Sequence, residues 1–99
     1  MKKLLAPILF VLLGFQVSAQ DFEKGFEAAK NKDYATAYKE WMYLAERGHA
    51  EAQRNIGFIY LKGLDVPINY DEAMYWFKFS ADQGDMKAQN NLAYMYYYG

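Results

Sequence analysis

The 99-residue chain has no cysteine, only two prolines and a single histidine, His49. Without thiols there is no disulfide framework, so a fold this small has to hold through packing, where packing alone is marginal. The same absence excludes a cysteine nucleophile and a thiolate zinc site, since zinc needs several His or Cys ligands at set spacings. Hydroxyl nucleophiles are nearly absent too. Beyond residue 19 the chain has one serine, Ser80, and one threonine, Thr36. Ser80 falls on an apolar stripe, where packing accounts for it. His49 follows a glycine that ends a helix and reads as a solvated turn residue. The carboxylates of Asp71 and Glu72 sit at a helix start, where they complement the macrodipole. No catalytic constellation, cofactor site or metal site emerges, so the expected protein is not an enzyme. A positive excess is missing as well. The formal charge of −1 provides no electrostatic footprint for nucleic acid or an anionic membrane surface.

The N-terminus does carry a pattern. Lys2 and Lys3 precede the apolar run Leu4 to Phe15, and Val17-Ser18-Ala19 places small residues ahead of a cut after Ala19. This reads as a secretory signal over 1–19. The run stops at Gln16, short of the ~20 apolar residues of a spanning helix, so removal is expected over retention as an anchor. No cysteine stands at the cut, which excludes a lipoprotein. The expected mature chain, 20–99, has nine basic and twelve acidic residues, a net −3. It is expected to be periplasmic or secreted, without stable membrane insertion.

Self-similarity organises the rest. At an offset of 36, Gly48 matches Gly84, Ala52-Gln53 matches Ala88-Gln89, and Asn55-Ile56 matches Asn91-Leu92. Phe58, Tyr60 and Gly63 match Tyr94, Tyr96 and Gly99, while Tyr34, Ala37, Trp41 and Ala45 match Tyr70, Ala73, Phe77 and Ala81. Lys24-Gly25-Phe26 resembles Ile56-Gly57-Phe58 at an offset of 32, the missing four residues falling in a shorter loop. Repeats of this length mark stacked units that cannot bury their apolar faces alone.

Each unit is helical in content. Ala37, Trp41, Leu44 and Ala45 stand at i, i+4, i+7 and i+8, and so do Ala52, Ile56, Ile59 and Tyr60. The spacing recurs in Ala73, Phe77, Ser80 and Ala81 and in Ala88, Leu92, Met95 and Tyr96. Each set is one apolar stripe on a helix. Gly48 and Gly84 suit left-handed helix ends. Asp33 and Asn69 suit N-caps, with Glu72 at capping-box distance from Asn69. The pattern predicts helices near 22–31, 34–47, 49–62, 70–83 and 85–98. They group as a first hairpin (22–47), a second hairpin (49–83) and the first helix of an incomplete third (85–99).

The second unit reads Ala52-Gln53, Ile56-Gly57, Tyr60, Gly63, Val66-Pro67, Tyr70, Ala73, Phe77, Ala81, Gln83-Gly84. In this it resembles the Sel-one-like repeats, relatives of the tetratricopeptide repeat, over about residues 22–99. It departs from them where Asp65 replaces a loop glycine, Asn69 an aspartate and Ser80 an alanine. The resemblance implies an all-α fold, an α/α solenoid of antiparallel helical hairpins, that serves as a scaffold for protein–protein contact. Some cysteine-rich relatives are linked to binding or hydrolysing β-lactams, an analogy that a chain without cysteine weakens.

Opposite the stripe of the helix near 50 stand Arg54, Phe58 and Leu61, edged by Glu51 and Lys62. Shifted by 36 they become Asn90, Tyr94 and Tyr97, edged by Lys87 and Tyr98, and the first helix adds Phe22, Phe26 and Lys30. Rings and polar groups together suit peptide or protein recognition. They equally suit packing between neighbouring hairpins. The expected partner is a protein or peptide in the bacterial envelope; a cell-wall glycan or muropeptide is the alternative ligand. Tyr96, Tyr97 and Tyr98 spread around the last helix, with Tyr96 on the core stripe. Either the chain is part of a longer array, or Leu92, Met95 and Tyr96 stay partly uncovered and invite self-association.

Overall fold

The computed structural model describes residues 19–99, with side chains from Phe22 onward. Apart from Ala19, the expected signal segment lies outside the described residues. Five helices follow one another: α1 (Ala19–Lys30), α2 (Tyr34–Ala45), α3 (Ala50–Lys62), α4 (Tyr70–Asp82) and α5 (Met86–Tyr98). Each packs against its predecessor, giving the all-α solenoid that the repeat implies. The bounds fall within three residues of those expected. The second helix stops two residues earlier than expected, since residues 46–48 tighten into a turn that includes Gly48.

Local chemistry explains the ends. Asp33, His49, Asn69 and Asp85 each accept a bond from the backbone N–H three residues on, at 3.2, 3.1, 3.0 and 2.9 Å. Each satisfies one of the orphan donors of a helix start. His49 is therefore not a merely solvated turn residue. Its Nδ1 caps α3, and its ring stacks on Phe22 with centroids 5.1 Å apart. Gly48 and Gly84 take φ of 95° and 97°. The next residues, His49 and Asp85, donate back to the Leu44 and Ser80 carbonyls at 3.1 and 3.2 Å, closing Schellman ends. Asp65 takes φ of 63°, the left-handed conformation of the loop glycine it replaces, which Asp tolerates better than most residues.

Two buried clusters follow from the stripes. One joins Ala37, Trp41, Leu44 and Ala45 of α2 to Ala52, Ile56 and Ile59 of α3 and Trp76 of α4. The other joins Ala73 and Phe77 of α4 to Ala88 of α5. Trp76 was invisible to the repeat, because its counterpart 36 positions back is Glu40. It lies at the foot of a ring cluster with Tyr75 and Phe79, and its Nε1–H has no acceptor among the described residues.

Gly25 and Gly57 recur because a ring sits on each. A Cβ at Gly57 would stand 2.8 Å from Cδ1 of Phe77, and one at Gly25 would stand 2.7 Å from Cε2 of Trp41. The glycine lets the second helix of a pair bring its aromatic residue against the backbone of the first. Trp41 is pinned further by its Nε1–H, which donates to the Phe22 carbonyl at 3.2 Å.

The repeated Ala-Gln pair links successive helices. Gln53 is fully buried and donates from Nε2 to the Ala45 carbonyl at 3.0 Å; Gln89 donates to the Ala81 carbonyl at 3.1 Å. Each carboxamide is a second donor to a carbonyl in the last turn of the preceding helix, which also accepts the backbone N–H of Gly48 or Gly84. Gln83 adds a bond to the Gln53 Oε1 at 2.8 Å, and the buried Ser80 hydroxyl donates to the Ala50 carbonyl at 2.8 Å. Ser80 is thus a strut between α4 and α3.

Candidate binding face

The first helices of successive units, α1, α3 and α5, turn one face away from the stripes. On it, Phe26, Phe58 and Tyr94 occupy equivalent positions and are 46%, 42% and 62% exposed. One turn further along each helix stands a partner for the ring. Lys30 Nζ lies 5.8 Å from the Phe26 centroid, and Lys62 Nζ lies 5.8 Å from the Phe58 centroid. These are cation–π distances, and the i, i+4 spacing delivers them. On α5 the pair becomes Tyr94 and Tyr98, with centroids 4.5 Å apart. Lys30 also meets Glu27 at 3.6 Å, an exposed pair of small energetic weight.

Three recesses lie along this face. The first, about 410 Å³, runs between α1 and α3 and has Phe22, Trp41, Phe58 and Ile59 among its lining residues. A second, about 420 Å³, lies between α3 and α5 and is lined by Arg54, Asn55, Phe58, Lys87, Asn90 and Asn91. The third, about 660 Å³, is bordered by Leu61 and Lys62 of α3, Tyr70 and Met74 of α4, and Tyr94 and Met95 of α5. Of the residues assigned to this face from sequence, Arg54, Phe58, Leu61, Asn90 and Tyr94 border these recesses. Tyr97 borders none of the three and stands edge-on to Tyr98, centroids 4.8 Å apart.

Arg54 has a partner within the chain. Its Nε donates to Asp85 Oδ1 at 3.2 Å and its Nη2 to Oδ2 at 3.3 Å, while Nη1 reaches Asn55 Oδ1 at 3.1 Å. Asp85 is the cap of α5, so one carboxylate both starts that helix and ties it to α3. The Arg54 guanidinium thus helps to position α5 against α3. Tyr96 also departs from its expected place. Its stripe equivalent, Tyr60, is partly buried with its hydroxyl 2.6 Å from that of Tyr38, and burial raises its pKa, with the Tyr38 hydroxyl adding to the rise. Tyr96 is 65% exposed, because the residue equivalent to Tyr38 is Met74 and no described helix covers it from the far side. Among the described residues no three His, Asp or Glu side chains converge where a metal ion could sit, and no helix is long and apolar enough to cross a membrane.

With this geometry established, comparison with known proteins decides the family. The Sel1 repeat matches residues 50–85 and 87–99, which take in α3, α4 and all of α5 but its first residue. The chain is a Sel1-repeat protein. Over 46 residues it is 44% identical to a sel1-like repeat-containing protein of Acanthamoeba polyphaga mimivirus. The match spans 46% of this chain and about 9% of that much longer relative. No solved structure matches. Sel1 repeats generally mediate protein–protein interaction.

Within the Sel1 frame, what sequence reasoning missed becomes readable. The Ala-Gln pair was visible as a coincidence at 36 residues, but its role as an inter-helix bond required the Ala45 and Ala81 carbonyls to be placed. The Arg54–Asp85 link spans 31 positions and occurs once, so no periodicity announces it.

Proposed function

We propose that the chain is a non-catalytic envelope scaffold whose first-helix face binds a segment of a protein partner. The observation that carries this reading is the row Phe26, Phe58 and Tyr94. Rings that serve only to fill space between units would be buried, and these stay about half open at the same register in three successive units. Rigid aromatic groups offer contact area at low entropic cost. The face also has carboxamides beside the rings, supplied by Asn55, Asn90 and Asn91.

The non-catalytic part is supported by how the scarce reactive groups are used. His49 Nδ1 is occupied as a cap, and the Ser80 hydroxyl is buried in a bond to Ala50. The envelope address, periplasmic or secreted, rests on the pattern from Lys2 to Ala19.

A photo-crosslinking residue placed at position 58 should give adducts with a partner from envelope extract, while the same residue at the exposed Lys78 on α4 should not. A Phe58→Ala, Tyr94→Ala double variant should lose most partner recovery with its circular dichroism unchanged. Equal adducts from both positions, or equal recovery by the folded double variant, would remove the binding role from this face.

A further inference from the structure

The three recesses differ in kind. Tyr34, Phe58 and Ile59 line the first, and Tyr70, Tyr94 and Met95, each 36 positions on, line the third, so these two are copies of one ring-rich pattern. The second has no such copy. Of its lining residues, Asn55, Asn90 and Asn91 are carboxamides, Arg54 and Lys87 are cations, and Phe58 is the one ring. Phe58 lines the first recess too, so its ring is the wall between them.

What these groups have left to offer sets the ligand. The Arg54 guanidinium is committed to Asp85, and its Nη1 also donates to the Asn55 Oδ1 at 3.1 Å. The Asn55 oxygen is thereby engaged, which leaves its amino group as the end open to a ligand. The side chains of Asn90 and Asn91 bond to no described residue, and Lys87 meets no carboxylate among them. No carboxylate lines the recess either, so the Lys87 charge there is unneutralised. A space of about 420 Å³ thus gathers uncommitted amide groups and one cation round a ring that is 42% exposed. Small-molecule sites are usually apolar with a few polar groups. This one reverses the ratio.

A peptide matches it poorly. An extended backbone brings one N–H and one C=O per ~3.3 Å and turns successive residues to opposite sides, so it meets few of the groups clustered round one ring. A pyranose carries a hydroxyl on most of its carbons, each a donor and an acceptor like the carboxamide that would face it. Its axial C–H groups form an apolar face suited to the negative face of an aromatic ring. A carboxylate on the sugar supplies the charge-assisted partner that Lys87 lacks.

We propose that the recess between α3 and α5 is a subsite for an acidic sugar, a uronate-type pyranose. Its hydroxyls pair with Asn55, Asn90 and Asn91, its C–H face lies on Phe58, and its carboxylate meets Lys87. This goes beyond the reading of the face as a protein-binding surface and does not depend on it.

¹⁵N NMR of the full chain tests the subsite, because the side-chain amide signals of the three Asn report on it directly. The probes are methyl glucuronoside, methyl glucoside, which lacks the charge, and acetate, which lacks the sugar. The glucuronoside should give saturable shifts at Asn55, Asn90 and Asn91. The glucoside should bind about two- to fivefold more weakly, as befits an exposed ion pair, and Lys87→Gln should bring the two sugars level. Asn90→Ala should weaken both by about three- to tenfold, as for a lost hydrogen bond, with circular dichroism unchanged. Acetate that shifts these signals as strongly as the glucuronoside overturns the proposal, since the recess would then read a carboxylate alone, as at the end of a peptide. So do sugar titrations without saturable shifts, a Lys87→Gln variant that still separates the two sugars, or an Asn90→Ala variant that binds them unchanged. If the sugars fail while crosslinking at position 58 captures a protein, the subsite falls and the protein-binding face stands. Failure of both removes the face as well.

Discussion

Helices α3 and α5 carry the same pattern 36 residues apart, and α3 buries Ala52, Gln53, Ile56, Gly57 and Ile59 where α5 buries Ala88. The two have the same kinds of side chain at the same register. What differs is company: α3 lies between α2 and α4, while among the described helices α5 packs on α4. A periodic stripe states which face of a helix can be buried. Whether it is buried is decided by the neighbour on each side, and the same Gln can be fully enclosed at 53 and exposed at 89 while making the same bond.

The strongest way to press this contrast is to delete equivalent side chains. Ile56→Ala should cost about 3 kcal/mol, as expected for a buried aliphatic residue. Leu92→Ala, its equivalent on α5, should cost about 1 kcal/mol because Leu92 is only partly enclosed. Urea denaturation of both variants measures the difference. Equal losses would mean that the outer face of α5 is covered in solution.

Adding volume gives the next largest effect. Gly57→Leu should destabilise by about 2 kcal/mol, since its side chain must displace the Phe77 ring. Ala93 occupies the equivalent position on α5, and Ala93→Leu should change stability by no more than about 0.5 kcal/mol. A Gly57→Leu variant with an unchanged thermal midpoint would show that Phe77 does not rest on that backbone.

The smallest effect separates the two caps. His49 and Asp85 are equivalents, and burial holds the His49 pKa below its usual 6.5, with Arg54 pushing the same way and Glu51 opposing. The folded state thus prefers the neutral ring, and the unfolded chain takes up the proton first. Stability should rise with pH up to about 6.5 and fall as pH drops through the lowered value. Protonation would also remove the acceptor that caps α3. His49→Asn keeps a cap and should flatten this part of the pH–stability curve; an unaltered slope would assign it to another group.

Much of the fold could be read from the chain because its units constrain each other. The 36-residue spacing, with the 32-residue step back to the first helix, located the helix-ending glycines, the Asp33 and Asn69 caps and the row Phe26, Phe58, Tyr94, each a position where two or three units make the same demand. Features that occur once gave no such signal. Trp76 is buried opposite an equivalent Glu40, and Arg54 pairs with a cap in the next unit. His49 caps with a ring nitrogen where its equivalent uses a carboxylate. The candidate face could be drawn as a set of residues, but not its relief. That two of its recesses are copies required Tyr34 and Tyr70, on second helices, to be placed beside the rings of the first.

The Gln53 and Gln89 bonds have a mechanical meaning as well. Each is a single short link from one side chain to a carbonyl in the last turn of the helix before it, so it acts as a bolt that sets the angle at which one helix joins the next. In a longer stack such angles would add, and the pitch of the whole would be dictated by carboxamides one at a time. Loosening a single bolt would put a hinge at that joint and leave the segments on either side stiff.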